Sequence, residues 1–196
     1  MTEPTMGRRE RKKAATRQAL ADAALRLFLE RGYEHVSVKD VADAADVSTT
    51  TLFKHFTGKE ALVFDRDFEV EARLVAAVRD REPGRSIPGA LRDRLVQMAM
   101  PSADDGPDKA AFRKLVESTP VLKEYGRRMW MRHETALAHA IAADVDAPED
   151  DLTCAALARF ALGTAALGDG RDDPRPGIDS AFALLEHGWN AVHGNG

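Results

Sequence analysis

Hydroxyl and cationic side chains crowd one short stretch of the chain: Ser37, Ser48, Thr49, Thr50, Thr51, Lys54, His55 and Lys59. Ser and Thr hydroxyls can bond base edges or phosphates, and a Thr methyl packs against a thymine methyl. Ser37 and Lys59 each stand where a helix begins, a place where free backbone N–H groups and the helix dipole favour an anion such as phosphate. Consecutive β-branched residues are mediocre helix formers, so local propensity does not explain Thr49–Thr51. Two plainer readings stay open: Ser48 only caps a helix, and Thr51 packs inward.

The elements that would carry these side chains are legible in residues 33–60, YEHVSVKDVADAADVSTTTLFKHFTGKE. Val38, Val41, Ala42, Ala45, Val47, Leu52 and Phe56 form an apolar seam at helical spacing. Ser37, with Asp40 three residues on, and Ser48 occupy N-cap positions. Thr57 and Glu60 fit a T-x-x-E capping box that starts a further helix at Gly58. Two short helices around a tight turn make a helix-turn-helix, which places its second helix in the DNA major groove.

The overall net charge of −4 argues against nucleic acid only if charge is evenly spread. Residues 1–20 hold six basic side chains against two acidic ones, whereas residues 61–196 hold 17 against 23. A basic N-terminus attached to an acidic body suits DNA contact at one end only. Cys154 is the sole cysteine, which rules out an intrachain disulfide and a cysteine-based metal cluster. No metal or cofactor is expected. The N-terminus MTEPTMGRRERKK has no apolar core of a secretory signal, and the apolar run from Cys154 to Gly168 is too short to span a bilayer. A soluble, cytoplasmic protein is expected.

The whole chain reads as all-α. Helices are expected over about 10–31, 38–45, 49–55, 58–80, 88–100, 109–118, 120–144, 148–167 and 178–192, with Pro/Gly-rich or polar segments at 82–89, 100–108 and 168–177 between some of them. Gly32 stands where a helix C-terminus needs it. The domain boundary is expected inside the fourth helix, giving a DNA-binding domain over 1–62 and a helical regulatory domain over 63–196. An enzyme finds no support: H-E-x-x-H, G-x-S-x-G, P-loop and G-x-G-x-x-G patterns are all missing. His133 with His139, and His187 with His193, are each six apart, which does not align a metal pair on one helix face.

Residues 8–62 resemble the DNA-binding domain of TetR-family transcriptional regulators. The resemblance runs through the first helix ending at Gly32, the S-V-x-x-V-A-x-x-A run from Ser37 to Ala45, Val47-Ser48, Thr51-Leu52-Phe53, His55-Phe56, and K-E-x-L from Lys59 to Leu62. Asp46 and Thr50 stand where the family often has Gly, and Phe53 where it usually has Tyr. The resemblance implies that 49–55 is the recognition helix, with Thr49, Thr50, Lys54 and His55 facing DNA. Phe53 then contacts a sugar or thymine methyl, or else packs in the core. Arg8, Arg9 and Arg11 belong to an arm that could enter an adjacent minor groove.

The same resemblance implies a homodimer, formed through the last two helices, on a palindromic operator. Leu157, Phe160, Thr164, Leu185 and Trp189 are candidates for that interface. It also implies a small-molecule effector that releases a repressor, by a shift passed along the helix at 58–80. Met98, Phe112, Tyr125, Met129, Trp130, His133 and Cys154 are candidates to line its pocket, core packing being the plainer reading of the same stripe. Arg127, Arg128 and Arg132 either meet an acidic ligand or form a charged helix face. The alternative function is a ligand-independent or architectural DNA-binding protein with the same helix-turn-helix and a packed dimerisation body.

Overall fold

The computed structural model describes residues 7–100, 109–165 and 173–193. The described residues are helical, with no strand among them. In chain order the helices are α1 (Arg8–Arg31), α2 (Val38–Ala44), α3 (Thr49–His55), α4 (Lys59–Val63), α5 (Asp67–Arg79), α6 (Ile87–Ala99), α7 (Lys109–Ser118), α8 (Pro120–Asp144), α9 (Leu152–Thr164) and α10 (Arg175–His193). A 3-10 turn at Tyr33–His35 links α1 to α2. The polar segment 101–108 and the first half of the turn-rich segment 168–177 lie outside the described residues.

The chain forms two compact units. The first runs to Asp65 and takes in α7 and the start of α8 as far as Gly126. The apolar stripe of α1 (Leu20, Ala24, Leu27, Phe28) meets Val41 and Ala42 of α2, Leu52 of α3, Leu62 of α4, Leu115 of α7 and Leu122 of α8. Each fully buried leucine in such a core contributes about 1.5–3 kcal/mol. Gly32 ends α1 at φ +83, a conformation that side chains resist, and its N–H closes on the Phe28 carbonyl.

The second unit holds α5, α6, the rest of α8, α9 and α10. Leu74, Leu91, Leu95, Leu137, Ile141, Ala158, Ile178 and Phe182 form its core. No helix among the described residues is long and apolar enough to cross a membrane.

Three local expectations are corrected. The single helix expected at 58–80 is two, α4 and α5, separated at Phe64–Arg66. Phe64 leaves helical geometry (ψ 47), and its ring stacks on Tyr125 at 5.3 Å and meets the edge of Phe112 at 6.1 Å. Aromatic packing thus rewards the break in a segment that has no Gly or Pro to announce one.

The Thr57–Glu60 capping box does not form: Gly58 occupies the N-cap without a side-chain bond, because the Glu60 carboxylate accepts from the Tyr33 hydroxyl at 3.1 Å. The helix expected from Pro148 begins instead at Leu152, where Asp151 caps it by accepting from the Cys154 N–H at 2.8 Å. Pro148 starts only a turn closed by the Asp151 N–H on its carbonyl.

Candidate nucleic-acid interface

The helix-turn-helix is built from two well-capped short helices. The Ser37 hydroxyl oxygen accepts from the Asp40 N–H, while the Asp40 carboxylate accepts from both the Ser37 N–H (2.8 Å) and the Ser37 hydroxyl (2.6 Å). These bonds hold the Asp40 carboxyl below the usual carboxylate range. The Ser37 hydroxyl is therefore committed to its own cap. Asp46 takes φ +53 in the turn, and the Val47 N–H closes it on the Ala42 carbonyl at 3.0 Å. Ser48 caps α3, accepting from the Thr51 N–H at 3.1 Å, and its hydroxyl also pairs with the Thr51 hydroxyl.

Helix α3 has two unlike faces. Leu52 is fully buried and Phe56, just past its end, is 3% exposed, so that side anchors the helix. Thr50, Phe53 and Lys54, spaced i, i+3 and i+4, form the outward face, with Phe53 55% exposed. Thr49 and His55 are half-buried at its flanks. The core alternative for Phe53 is thus not what the fold does with it. The His55 Nδ1 is buried without a hydrogen-bond partner among the described residues, and burial, with the charges of Lys13 and Arg17, holds the imidazole below the ordinary histidine range.

Lys59 behaves differently from a free phosphate-binding ammonium. It donates to the Tyr33 carbonyl and lies 3.9 Å from the centroid of the Tyr33 ring. Burial lowers its affinity for a proton, and burial together with Glu60 pushes the Tyr33 phenol up. Arg8, Arg9 and Arg11 are exposed and belong to the first turns of α1, so this part of the expected arm is helical.

Arg17 is the residue that sequence reading passed over. It donates to the carbonyl of His55 (2.6 Å) and to that of Asp65 (2.7 Å), with its guanidinium 4.3 Å from the Phe56 ring centroid. One signal was available. Arg17 stands three and four residues before Leu20 and Ala21, on the buried stripe of α1 where a cation is out of pattern.

The candidate pocket residues are not gathered into one cluster. Phe112 and Tyr125 pack around Phe64 in the first unit. Met98 packs against, and Cys154 lies within, the core of the second unit, where burial and then Asp151 push the Cys154 thiol up to about 11. Met129 is buried, and Trp130 meets His133 edge-on at 5.3 Å.

His133 is wholly buried. Its Nε2 lies 2.6 Å from Asp67, whose other oxygen accepts from Arg132, while its Nδ1 has no partner among the described residues. A cavity of about 550 Å³ in the second unit is lined instead by Arg81, Ser86, Glu186, Trp189, Asn190 and His193 among others.

Of the candidate interface residues, Leu157 and Thr164 are buried in the second unit and Leu185 packs against its core. Trp189 is 8% exposed and stacks on His193. Phe160 is exposed, as are Leu152 on the same helix and Leu184 and Val192 on α10. Among the described residues no group of three or more His, Cys, Asp or Glu is placed to hold a metal.

This architecture has close counterparts. Residues 20–65 match the family model described as bacterial regulatory proteins of the tetR family. The HTH-type transcriptional regulator TcmR of Streptomyces glaucescens is 36% identical over 152 residues, covering 74% of this chain and 67% of that protein. The HTH-type transcriptional repressor ComR of Escherichia coli is 41% identical over 94 residues, 46% of this chain and 44% of that one. A solved TetR-family regulator from Streptomyces coelicolor superposes with a TM-score of 0.62 at 20% identity, over 88% of this chain and 93% of that chain.

Proposed function

Because the chain belongs to the TetR family of bacterial transcriptional regulators, we propose that it acts as a homodimeric repressor, reading a palindromic operator through α3 and released by a small-molecule effector. The observation that carries the DNA contact is the outward face of α3, where Thr50, Phe53 and Lys54 stand exposed on a helix pinned from behind by Leu52. Thr50 and Thr49 read base edges, Phe53 packs on a sugar or thymine methyl, and Lys54 meets a phosphate.

Arg8, Arg9 and Arg11 support the reading from energetics. Positive charge at a helix N-terminus opposes the dipole, so their place in the first turns of α1 costs stability that a phosphate would recover. Ser48 and His55 flank the contact; Ser37 and Lys59 reach phosphate only by exchanging their present partners. Repression is supported by the name of ComR, a relative that matches part of the chain.

Residues 1–62 carry DNA contact and 63–196 carry dimerisation and effector binding. The exposed Phe160, Leu152, Leu184 and Val192 on α9 and α10 support a dimer through those helices, with Leu157, Thr164, Leu185 and Trp189 behind them. The buried, unpartnered Nδ1 of His133 supports an effector bound against α8, beside Met129 and Trp130.

Selection from a random duplex pool at low and near-physiological salt tests the operator. Enrichment of an inverted repeat that survives the higher salt is expected. Binding without enrichment that collapses as salt rises would show that phosphate contacts dominate and would replace the repressor with an architectural protein. A thermal-shift screen tests the effector, since a ligand at 100 times its dissociation constant stabilises by about 2.7 kcal/mol.

A further inference from the structure

We propose that Arg17 is the positioning residue of the DNA-reading helix, a clamp that ties the C-terminal end of α3 to the point where the chain leaves the DNA-binding unit. The inference rests on α3 being the DNA-facing helix and goes beyond it, because Arg17 touches no base.

Helix C-termini leave carbonyls without intrahelical partners, and those carbonyls carry the negative end of the dipole. Arg17 meets this need at the end of α3 and binds a second backbone carbonyl with the same side chain. One guanidinium nitrogen donates to His55, the last residue of α3, at 2.6 Å. The other donates to Asp65, two residues past the end of α4, at 2.7 Å. Asp65 is also where the first unit ends and the chain passes into α5.

The guanidinium sits over the ring of Phe56, the residue after His55, with 4.3 Å from its central carbon to the ring centroid. Three contacts thus fix its orientation. A planar fork can hold two carbonyls at once, which a single ammonium cannot do in the same geometry.

The consequence is mechanical. The carbonyls of His55 and Asp65 are held by two arms of one rigid group, so a displacement of the segment 64–66 re-aims the end of α3. Arg17 sets the angle at which Thr50, Phe53 and Lys54 are presented, and it carries to that face any pull on the chain at Arg66.

The test uses the full-length protein and two variants, Arg17→Met, which keeps an unbranched apolar stem and removes every donor, and Arg17→Lys, which keeps the charge and removes the fork. Affinity is measured by fluorescence anisotropy for the duplex recovered by selection and for a scrambled duplex of equal length, over a salt series. Hydrogen exchange is followed across residues 49–66. The clamp predicts that Arg17→Met lowers discrimination between the two duplexes by roughly tenfold, the size of one lost base contact. The salt slope stays unchanged, exchange rises in 49–66, and Arg17→Lys recovers part of the loss.

An equal loss on both duplexes, with the slope reduced by about 0.9 for each protomer bound, would make Arg17 a phosphate contact and overturn the clamp. Undiminished discrimination in a folded Arg17→Met would reduce it to a structural cation. If Arg17→Met does not fold, full discrimination in Arg17→Lys overturns the clamp on its own. A wild-type protein that prefers no duplex overturns the recognition reading as well, and so separates that failure from this one.

Discussion

His55 shows how far a single residue's surroundings can set its chemistry. Burial, Lys13 and Arg17 together favour its neutral form, so its folded value lies below the ordinary 6.5. As pH falls the unfolded chain takes up this proton first. The stability that neutral His55 contributes is therefore present in full above 6.5 and lost as pH falls through the depressed folded value. A DNA phosphate beside the ring would reverse the preference, so operator binding is expected to take up a proton and tighten as pH falls below 6.5. His55→Gln should flatten both dependences, read by denaturation midpoints and by anisotropy titrations across pH; an unchanged slope in the variant assigns the effect elsewhere.

Asp46 poses a backbone question instead. At φ +53 it pays the cost of a left-handed residue, partly relieved because Asp tolerates that region. Asp46→Ala should destabilise by about 1 kcal/mol and Asp46→Gly should not, as urea midpoints will tell.

Elements were legible wherever local chemistry and tertiary packing agree. Ser37 with Asp40, Ser48 before α3, and the seam through Val41, Ala42 and Leu52 are short-range signals, and the helix-turn-helix follows from them. The break at Phe64–Arg66 is set by partners far away in sequence, Tyr125 and Phe112 on one side and Arg17 on the other. The Thr57–Glu60 signal failed for the same reason, since Tyr33 claims the Glu60 carboxylate. Arg17 itself was visible as a misplaced cation, but the two carbonyls it serves were not.

Two substitutions test the break. Phe64→Ala should cost about 2 kcal/mol, less than a fully buried phenylalanine because Phe64 is half-buried. Gly126 lies inside α8, where an added Cβ would stand 3.4 Å from the Phe64 ring. That is ordinary contact distance, so Gly126→Ala should stabilise by about 0.5–1 kcal/mol through helix propensity. A drop in its unfolding midpoint would show that the ring cannot accept the methyl.

At the scale of the molecule, the all-α architecture follows from helical periodicity through most of the chain, whereas an outward apolar face depends on which side of each helix the core claims. Leu157 and Thr164 read as interface candidates and are in fact core, while Leu152, Leu184 and Val192 are exposed. Phe160 is both a candidate and 58% exposed, which makes it the position to challenge. Phe160→Arg is expected to shift sedimentation from dimer to monomer and to weaken operator binding, because one half-site supplies only part of the contacts. A dimer that survives the substitution would move the interface away from this part of α9.

The buried core of that same helix has a practical consequence. Cys154 is the chain's only cysteine, enclosed and with its thiol pushed up to about 11, so its reactive thiolate is scarce at neutral pH. A reporter group attached through a cysteine introduced on the exposed side of α1 would therefore label one place per chain without first removing the native residue. Pulsed electron-spin distances between two such labels in a dimer would follow the spacing of the DNA-binding units directly in solution.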